Sequence, residues 1–467
     1  MKSFSRLAAV VVLALLIAAP SFAARGRADF TVFVAIGDSY GAGFENGSLN
    51  ANHQPFSWPA IIARQAGVKD FQQPLVSFPG IGNELQLVDV ISYPPVILPA
   101  PGAAGQPTNL NLARPYNNLS VVGATVTDVI TLKGNEQNPT TTAARFAQFV
   151  LRGLGTEVEQ AIAQHPTFIA IWIGGNDLLG AALAGTPRGL TPTDTFRASY
   201  TRMLDALVAG APDAGIVVGN LPANAAALPI LSTLPPVLIN PQTRLPVLLP
   251  NGQPIFFIAD LGGGTIGQLT TGSAVLLPCS SAIATGFGIP EALKADPRFA
   301  SLPNIGKPLP DACVLTTAEI AQFVARAAEY NQVISDAASS RNIPVADIKG
   351  LFDRFPAGVQ IGPFTFSSAY ITGGIFSLDG FHLTDLGYTL FANQYIRTIN
   401  QAYGTHIPVA PITTLLANNG AFFPEQQMRS GNVFMEGMEW TISDEAAAIM
   451  LRFASPVPSR RLHAASH

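Results

Sequence analysis

The residues from Thr31 to Gly41 read TVFVAIGDSYG. The first six, TVFVAI, form a short apolar run rich in β-branched side chains, which is typical of a buried strand. The chain then reaches Gly37, Asp38 and Ser39, where it must turn. A serine in this place is a candidate nucleophile, but its hydroxyl reacts at neutral pH only if a base takes its proton. The order of the remaining strands and the position of a histidine therefore decide whether this serine can act as a nucleophile, and in which fold.

Four later apolar runs also predict buried strands: Leu119–Val122, Phe168–Ile173, Gly215–Val218 and Ile343–Ala346. Helical patterns lie between these runs. They comprise capping boxes at Thr156 with Glu159 and at Thr316 with Glu319, an apolar stripe that ends at Gly210, and a last helix that starts near Thr384. Because parallel strands need long crossovers, which helices normally supply, the alternation predicts an α/β fold whose parallel sheet is covered on both faces.

Two stretches interrupt the alternation, at about 71–115 and about 222–310. The first is rich in Pro, Gly and Asn, whereas the second is apolar, is punctuated by prolines and carries Cys279, with Cys313 just after its end. We expect the second to form a hairpin-containing subdomain with its own small core; the alternative is an apolar cover over an acyl-binding groove. The pattern favours one domain at 27–408 with two long insertions. No role is indicated for the C-terminal extension, 409–467.

The N-terminus has the features of a secretory signal peptide. Residues 1–6, MKSFSR, carry two positive charges, the following run to Ala19 is almost entirely apolar, and Ser21-Phe22-Ala23 offers small residues for cleavage. A membrane anchor is the alternative, but the run is shorter than the ~20 residues of a spanning helix. We therefore expect residues 1–23 to be removed, the mature chain to have no transmembrane segment, and the protein to be secreted or periplasmic.

Cysteine usage and charge limit the partners of the chain. In an oxidising compartment Cys279 and Cys313 can persist as a disulfide, and a structural zinc site is disfavoured because neither has a second cysteine or histidine nearby. Charged residues make up only 12% of the chain and the net charge is −4. This weak acidic balance gives no electrostatic footprint for nucleic acid, and no Lys/Arg cluster suits anionic lipid headgroups.

His382 is the best candidate for the base that Ser39 needs. It lies in SLDGFHLT, with Asp379 three residues earlier and a capped helix directly after it. A carboxylate at that distance can hold one ring nitrogen of the histidine and fix its tautomer. The sequence GDSYG also satisfies GxSxG, the nucleophile elbow of α/β-hydrolases. That fold is disfavoured because only one strand precedes Ser39, and because Asp379 and His382 share a loop.

At this point the chain resembles the SGNH (GDSL-type) hydrolases. Four motifs match in order: GDSY around Ser39, Gly123 in NLSVVGATVTD, GGND at 174–177, and DGFH at 379–382. Each follows a predicted strand or precedes the last helix. The resemblance spans about Phe30 to Tyr403, without the two insertions. It departs from the commonest pattern at Tyr40, where leucine is usual, and we expect this change to affect packing or the rim of the site more than the chemistry.

The resemblance implies a three-layer, flavodoxin-like α/β/α sandwich with its site at the carboxyl ends of the strands. It implies that Ser39 attacks an acyl carbonyl, that His382 acts as general base and then general acid, and that Asp379 orients His382. The backbone N–H groups of Ser39 and Gly123 and the side-chain amide of Asn176 would form the oxyanion hole. Neither a metal nor a cofactor is implied.

Structural alternatives exist for several of these residues. Gly123 alone is compatible with a tight turn, and Asn176 with a loop cap. We expect Asp38 and Asp177 to accept hydrogen bonds from loop backbone, and Asp385 to favour the first turn of the last helix. A metal cluster of His382, Asp379 and Asp385 is a further, weaker alternative.

Together these features predict a secreted serine esterase or lipase, a carboxylic ester hydrolase whose partner is an ester substrate such as a lipid. Two alternatives remain. The first is a carbohydrate esterase that removes acetyl groups from polysaccharide. The second, from another class, is a secreted binding protein that keeps the fold without catalysis.

Overall fold

The computed structural model describes residues 24–89, 96–240 and 243–412. The predicted signal peptide and all but the first residues of the C-terminal extension lie outside them. Among the described residues, no helix combines the length and the apolar character that crossing a membrane requires.

The described residues form twelve strands. They are β1 (Phe33–Gly37), β2 (Leu85–Asp89), β3 (Val96–Pro99), β4 (Phe168–Trp172), β5 (Gly215–Gly219), β6 (Ile258–Asp260), β7 (Ile266–Gln268), β8 (Ala274–Val275), β9 (Val314–Leu315), β10 (Val345–Ala346), β11 (Val359–Ile361) and β12 (Phe364–Phe366).

The α-helices of the same residues are α1 (Ser39–Ala42), α2 (Trp58–Gln65), α3 (Asp128–Thr131), α4 (Thr142–Val150), α5 (Glu157–Ala163), α6 (Asn176–Leu183), α7 (Thr193–Gly210), α8 (Pro229–Ser232), α9 (Ser280–Ala284), α10 (Thr317–Ser339), α11 (Ile348–Arg354) and α12 (Asp385–Tyr403). Short 3-10 turns lie at Gln54–Phe56, Pro187–Gly189, Ala225–Ala227, Leu277–Cys279, Glu291–Leu293 and Asp311–Cys313.

A parallel sheet of order β1-β4-β5-β10 lies at the centre of the fold. Phe33 of β1 is in register with Phe168 of β4, which in turn faces Gly215 of β5. Every residue of β1, β4 and β5 is buried, as expected for strands covered on both faces. Helices α2, α11 and α12 pack together on one side, and α5, α7 and α10 pack on the other. The predicted three-layer α/β/α fold is confirmed.

The strand predicted at Leu119–Val122 is wrong as a regular strand, although its position beside β1 is right. Leu119 N donates to Ala35 O (2.9 Å) and Val121 N donates to Gly37 O (3.0 Å), so the segment runs along the free edge of β1. The Asn118 side chain donates to Gly41 O (2.7 Å) and accepts from the N–H of Ser120 (3.2 Å). Such local side-chain hydrogen bonds compete with the regular backbone hydrogen bonds of a β-ladder. Only one β-bridge, between Ala35 and Asn118, forms between this segment and β1.

Helix boundaries follow the local signals closely. Thr156 and Thr316 each close a complete capping box, at the starts of α5 and α10. Thr384 caps α12, with its side chain accepting from the N–H of Gly387. These signals depend only on residues within one turn, which is why the sequence reveals them.

The two interrupting stretches have different structures. The first carries the antiparallel hairpin of β2 and β3. The second carries the β6–β7 hairpin, strand β8, which pairs with β9 just after the stretch, and a separate cluster of buried apolar side chains that includes Leu238, Phe257 and Leu309. The expected disulfide between Cys279 and Cys313 is present and closes part of this segment. Residues at the start of the segment pack instead against the main core, where they reach the site described next.

Candidate active site

Ser39 lies at the first residue of α1, immediately after β1. Asp38 caps this short helix, because its Oδ1 accepts from the N–H of Tyr40 (3.0 Å). Gly41 is required by close packing, since a Cβ there would lie 2.1 Å from Ser120 Oγ. The helix ends at Gly43, whose φ of 78° is left-handed. The strand and its tight turn thus fix the Ser39 hydroxyl at the carboxyl edge of the sheet.

A chain of hydrogen bonds joins Ser39, His382 and Asp379. Ser39 Oγ lies 2.8 Å from His382 Nε2, and His382 Nδ1 lies 2.9 Å from Asp379 Oδ2. The structure therefore brings together the three residues that the sequence predicts as the catalytic set. All three residues are mostly buried, but each keeps a small solvent-exposed fraction.

Asp379 is held as an ionised acceptor. Its Oδ1 accepts the backbone N–H groups of Phe381 (2.9 Å) and His382 (2.8 Å), and its Oδ2 also accepts from Gly47 N (2.9 Å). Burial alone would raise the pKa of this carboxyl, but the His382 ring and the hydrogen bonds outweigh burial and lower it. An ionised Asp379 accepts a hydrogen bond from the N–H at Nδ1 of His382. The Nε2 atom of His382 is then free to accept a hydrogen bond from the Ser39 hydroxyl.

Aromatic side chains surround the histidine. The Phe44 ring centroid lies 4.7 Å from that of His382, and the Tyr40 centroid lies 5.6 Å from it. Tyr40 is only 2% exposed, and its hydroxyl donates to Phe381 O (2.7 Å). Tyr40 therefore acts in packing, as the sequence predicts, and it also ties the nucleophile turn to the histidine loop. Burial raises the pKa of its phenol well above the usual range.

Gly123 and Asn176 come shortly after the two segments that flank β1, in the loop after Leu119–Val122 and at the end of the loop after β4. Gly123 has a φ of 85°, and Asn176 opens α6 with its Nδ2 donating to Ala124 O (2.9 Å). Asp177 Oδ2 accepts from Val126 N (2.9 Å), which joins the two loops. In the described part of the chain, the N–H groups of Ser39 and Gly123 have no protein acceptor. The backbone N–H groups of Ser39 and Gly123 are therefore available as donors at this edge of the sheet. The side-chain amide of Asn176 has a second N–H that can also donate.

Three buried carboxyls lie behind the nucleophile. Burial raises the pKa of Asp38 to about 8 and that of Asp177 to about 6, although each accepts a backbone N–H as predicted. Glu157 accepts from Gly37 N (3.0 Å), and burial raises its pKa well above the usual value. The buried role of Glu157 is not evident from the sequence, because its partner lies 120 residues away in the chain.

A second histidine cluster was also missed. His53 is buried, with Nδ1 3.2 Å from Asp385 Oδ1 and 3.3 Å from Glu45 Oε2, and with Nε2 3.0 Å from Glu84 Oε1. Asp385 does lie in the first turn of α12, as predicted, but its side chain faces His53. His382 is hydrogen-bonded to Asp379 through Nδ1 and to Ser39 through Nε2, so Asp385 is not part of this hydrogen-bonded chain.

An apolar cleft opens beside the Ser39 turn. Nearly all of its lining is apolar, and the wall combines the nucleophile and histidine loops with α6, the start of the second insertion and α10. Its lining includes Tyr40, Leu178, Leu228, Ile230, Phe323 and Phe381.

One family of known proteins matches most of this chain. The family described as GDSL-like Lipase/Acylhydrolase matches residues 33–395. Comparison with curated proteins gave no match.

Similar solved structures include an extracellular lipase from Streptomyces rimosus, at 14% identity over 79% of this chain and 98% of that chain, with a TM-score of 0.32. They also include a variant of an acetyl xylan esterase from Geobacillus stearothermophilus, at 14% identity over 80% and 96%, with a TM-score of 0.33. A third is an α/β hydrolase from the metagenome of Lake Arreo, Spain, at 14% identity over 82% and 99%, with a TM-score of 0.31.

Proposed function

This chain belongs to the GDSL-like lipase/acylhydrolase family, and on that premise we propose that it is a secreted serine esterase or lipase that hydrolyses carboxylic esters. The observation that carries the proposal is the hydrogen-bonded chain from Ser39 through His382 to Asp379, with distances of 2.8 and 2.9 Å. Nucleophilic acyl transfer needs a hydroxyl, a base within hydrogen-bond reach and a group that orients the base.

In the proposed reaction, Ser39 Oγ attacks the ester carbonyl while His382 Nε2 takes the hydroxyl proton. The C–O bond to the alcohol then breaks, and His382 returns the proton to the leaving alkoxide. Water attacks the acyl-enzyme by the same steps, which releases the acid and restores Ser39. Asp379 stays ionised throughout and stabilises the imidazolium that forms.

The oxyanion of each tetrahedral intermediate needs donors that are not already bonded. The N–H groups of Ser39 and Gly123, which lack protein acceptors among the described residues, meet this requirement. The Asn176 amide keeps one N–H free after its bond to Ala124. We assign these three donors to the oxyanion hole, where each contributes about 10²–10³ in rate.

The apolar cleft favours substrates with an extended acyl chain, such as lipids. A methylene transferred from water into such a lining gains about 0.8 kcal/mol, or roughly fourfold in kcat/KM, when the transition state uses the contact. An acetyl group would leave most of the lining unused. The cleft therefore favours acyl esters over the acetyl esters of polysaccharides.

A secreted location is part of the proposal. The bond between Cys279 and Cys313 suits an oxidising compartment, and the N-terminal sequence is typical of a cleaved leader.

The test is a panel of p-nitrophenyl esters from acetate to palmitate, together with acetylated xylan, run on the wild type, on Ser39→Ala and on Ser301→Ala as an exposed serine control. We expect hydrolysis that rises with chain length in the wild type and the control, and none in Ser39→Ala. Retained activity in folded Ser39→Ala would contradict the proposed nucleophile. Activity confined to acetyl esters would point to the carbohydrate esterase.

Narrowing the cleft tests its role separately. Leu228 is half-buried in the lining, and Leu228→Trp adds bulk there without touching the triad. We expect kcat/KM for decanoate to fall by about tenfold, since a mismatch of one or two methylenes costs that much, while the acetate rate stays close to that of the wild type. Equal losses on both esters would show that the chain does not bind in this cleft.

A further inference from the structure

We propose that Glu45, His53 and Asp385 bind a divalent transition-metal ion of the zinc type, and that Glu84 is the carboxylate that orients His53. The site is separate from the proposed ester chemistry. It joins the loop after Ser39 to the start of α12, through side chains that are all at least nine-tenths buried.

The spacing of the three ligand atoms fits a bound metal ion. His53 Nδ1 lies 3.3 Å from Glu45 Oε2 and 3.2 Å from Asp385 Oδ1, and all three atoms lie within 4.8 Å of one another. Tetrahedral ligands at 2.0–2.2 Å from zinc are about 3.3–3.5 Å apart. Two edges of the coordination polyhedron are therefore already near their required length.

A carboxylate holds the second ring nitrogen of His53. Its Nε2 lies 3.0 Å from Glu84 Oε1, and Glu84 in turn accepts from the amides of Asn46 (3.0 Å) and Asn50 (3.3 Å). Histidines that bind metals usually donate their other ring N–H to a carboxylate, which fixes the tautomer and raises the basicity of the ligating nitrogen. With the proton on Nε2, the Nδ1 lone pair points at Glu45 and Asp385.

Glu45 has a buried oxygen without a hydrogen-bond partner. Glu45 Oε2 lies 3.3 Å from His53 Nδ1, but with the ring proton on Nε2 this nitrogen has no hydrogen to donate, and no other partner exists among the described residues. A buried polar atom without a partner is costly, and two neighbouring carboxylates repel each other. A cation bound between Glu45, Asp385 and His53 satisfies both carboxylates at once.

The ligand set indicates the class of ion. One imidazole with two carboxylates suits zinc, manganese or iron, whereas calcium and magnesium prefer sets made of oxygen alone. The position also indicates a role. Gly47, two residues after Glu45, donates to Asp379, and Asp385 follows His382 by three residues. The ion would therefore clamp together the two segments that position the proposed acid and base.

The experiment measures metal content rather than ester hydrolysis. Tag-free protein is stripped with a chelator, dialysed against zinc chloride and analysed for zinc per chain. We expect one zinc in the wild type and in His406→Ala, an exposed histidine control. We expect none in His53→Ala or in Glu45→Gln, which preserves the side-chain shape. Glu84→Gln should weaken zinc affinity by about 10–100-fold, as loss of a supporting carboxylate does.

Two further variants locate the ion. Ser39→Ala and His382→Ala should each keep one zinc, because neither residue contacts the proposed ligands. Loss of zinc from His382→Ala would place the ion at His382, Asp379 and Asp385 and overturn the proposal.

Thermal unfolding supplies a measure that does not depend on any variant folding. Zinc added to stripped wild-type protein should raise the Tm by about 3 °C when it is about 100 times its Kd, and it should not raise the Tm of Glu45→Gln. A stripped wild type that takes up no zinc and shows no shift would overturn the proposal, whatever its activity toward esters.

Discussion

His382 and His53 are the two histidines that the described structure surrounds with carboxyl groups, and their settings differ. The His382 side chain is 12% exposed and has one carboxylate, Asp379, on Nδ1, so that Nε2 meets the neutral hydroxyl of Ser39. The His53 side chain is 2% exposed and meets carboxyl groups at both ring nitrogens. A base that shuttles protons needs one nitrogen facing a reactant. The surroundings of His382 provide that nitrogen. The surroundings of His53 instead favour a positive charge, because carboxyl groups lie at both ring nitrogens.

The chain builds both settings from the same two segments. Glu45 and Gly47 follow the nucleophile, while Asp379 and Asp385 stand three residues before and after His382. Gly47 bonds to Asp379, and Glu45 lies against His53 near Asp385. Removing each histidine should therefore have different consequences for activity and for stability.

The largest expected effect is that of His382→Ala on catalysis. Without the base, kcat should fall by about 10⁴–10⁶, as it does when a member of such a triad is removed. The measurement is the rate of p-nitrophenyl octanoate hydrolysis, with circular dichroism to verify folding. A loss of less than tenfold would contradict the proposed role of His382.

The next effect is that of His53→Ala on stability. Its removal leaves buried carboxyl groups without a partner, which typically costs about 3–5 kcal/mol. Urea unfolding should show this loss, whereas His382→Ala should change the free energy of unfolding much less. Equal destabilisation by the two variants would remove the distinction between the two settings.

Asn176→Ala tests the third oxyanion donor. We expect kcat to fall by about 10²–10³ with little change in KM, because the donor acts on the transition state. If Asn176 only holds the loop through its bond to Ala124, the Tm would fall instead and kcat of the folded enzyme would stay near that of the wild type.

Asp177→Asn tests how a buried carboxyl group that has no histidine partner affects stability. Burial raises the pKa of Asp177 to about 6, so the folded chain keeps this proton at a pH where the unfolded chain has lost it. The wild type should therefore lose stability as the pH rises from about 4 to about 6, by about 3 kcal/mol at most. The variant lacks this titration and can still accept from Val126 N. Urea unfolding should show that its stability relative to the wild type is higher at pH 7 than at pH 4; a constant difference would contradict a buried neutral Asp177.

Local signals account for what the sequence predicted well. The capping boxes, the buried strands and the pairing of Asp379 with His382 each depend on residues close together in the chain. The family motifs supplied the rest of the proposed site. Tyr40 illustrates the limit, because its expected packing role is correct but its bond to Phe381 crosses 341 residues.

The missed contacts of His53 and Glu157 join residues that are distant in the chain. His53 and Asp385 are separated by 332 residues, and no spacing in the sequence connects them. Glu157 follows a helix cap and looks like a surface acid, yet it bonds to Gly37 in the core. The strand predicted at Leu119 failed because the preceding asparagine bonds locally to Ser120, which composition and periodicity do not reveal.

Covalent labelling tests the central claim that Ser39 is the activated nucleophile. Wild-type protein treated with a fluorophosphonate probe, digested and analysed by mass spectrometry should carry one label per chain, on the peptide that contains Ser39. His382→Ala should be labelled far more slowly. Well-folded wild-type protein that remains unlabelled, or that carries the probe on another serine, would contradict the account.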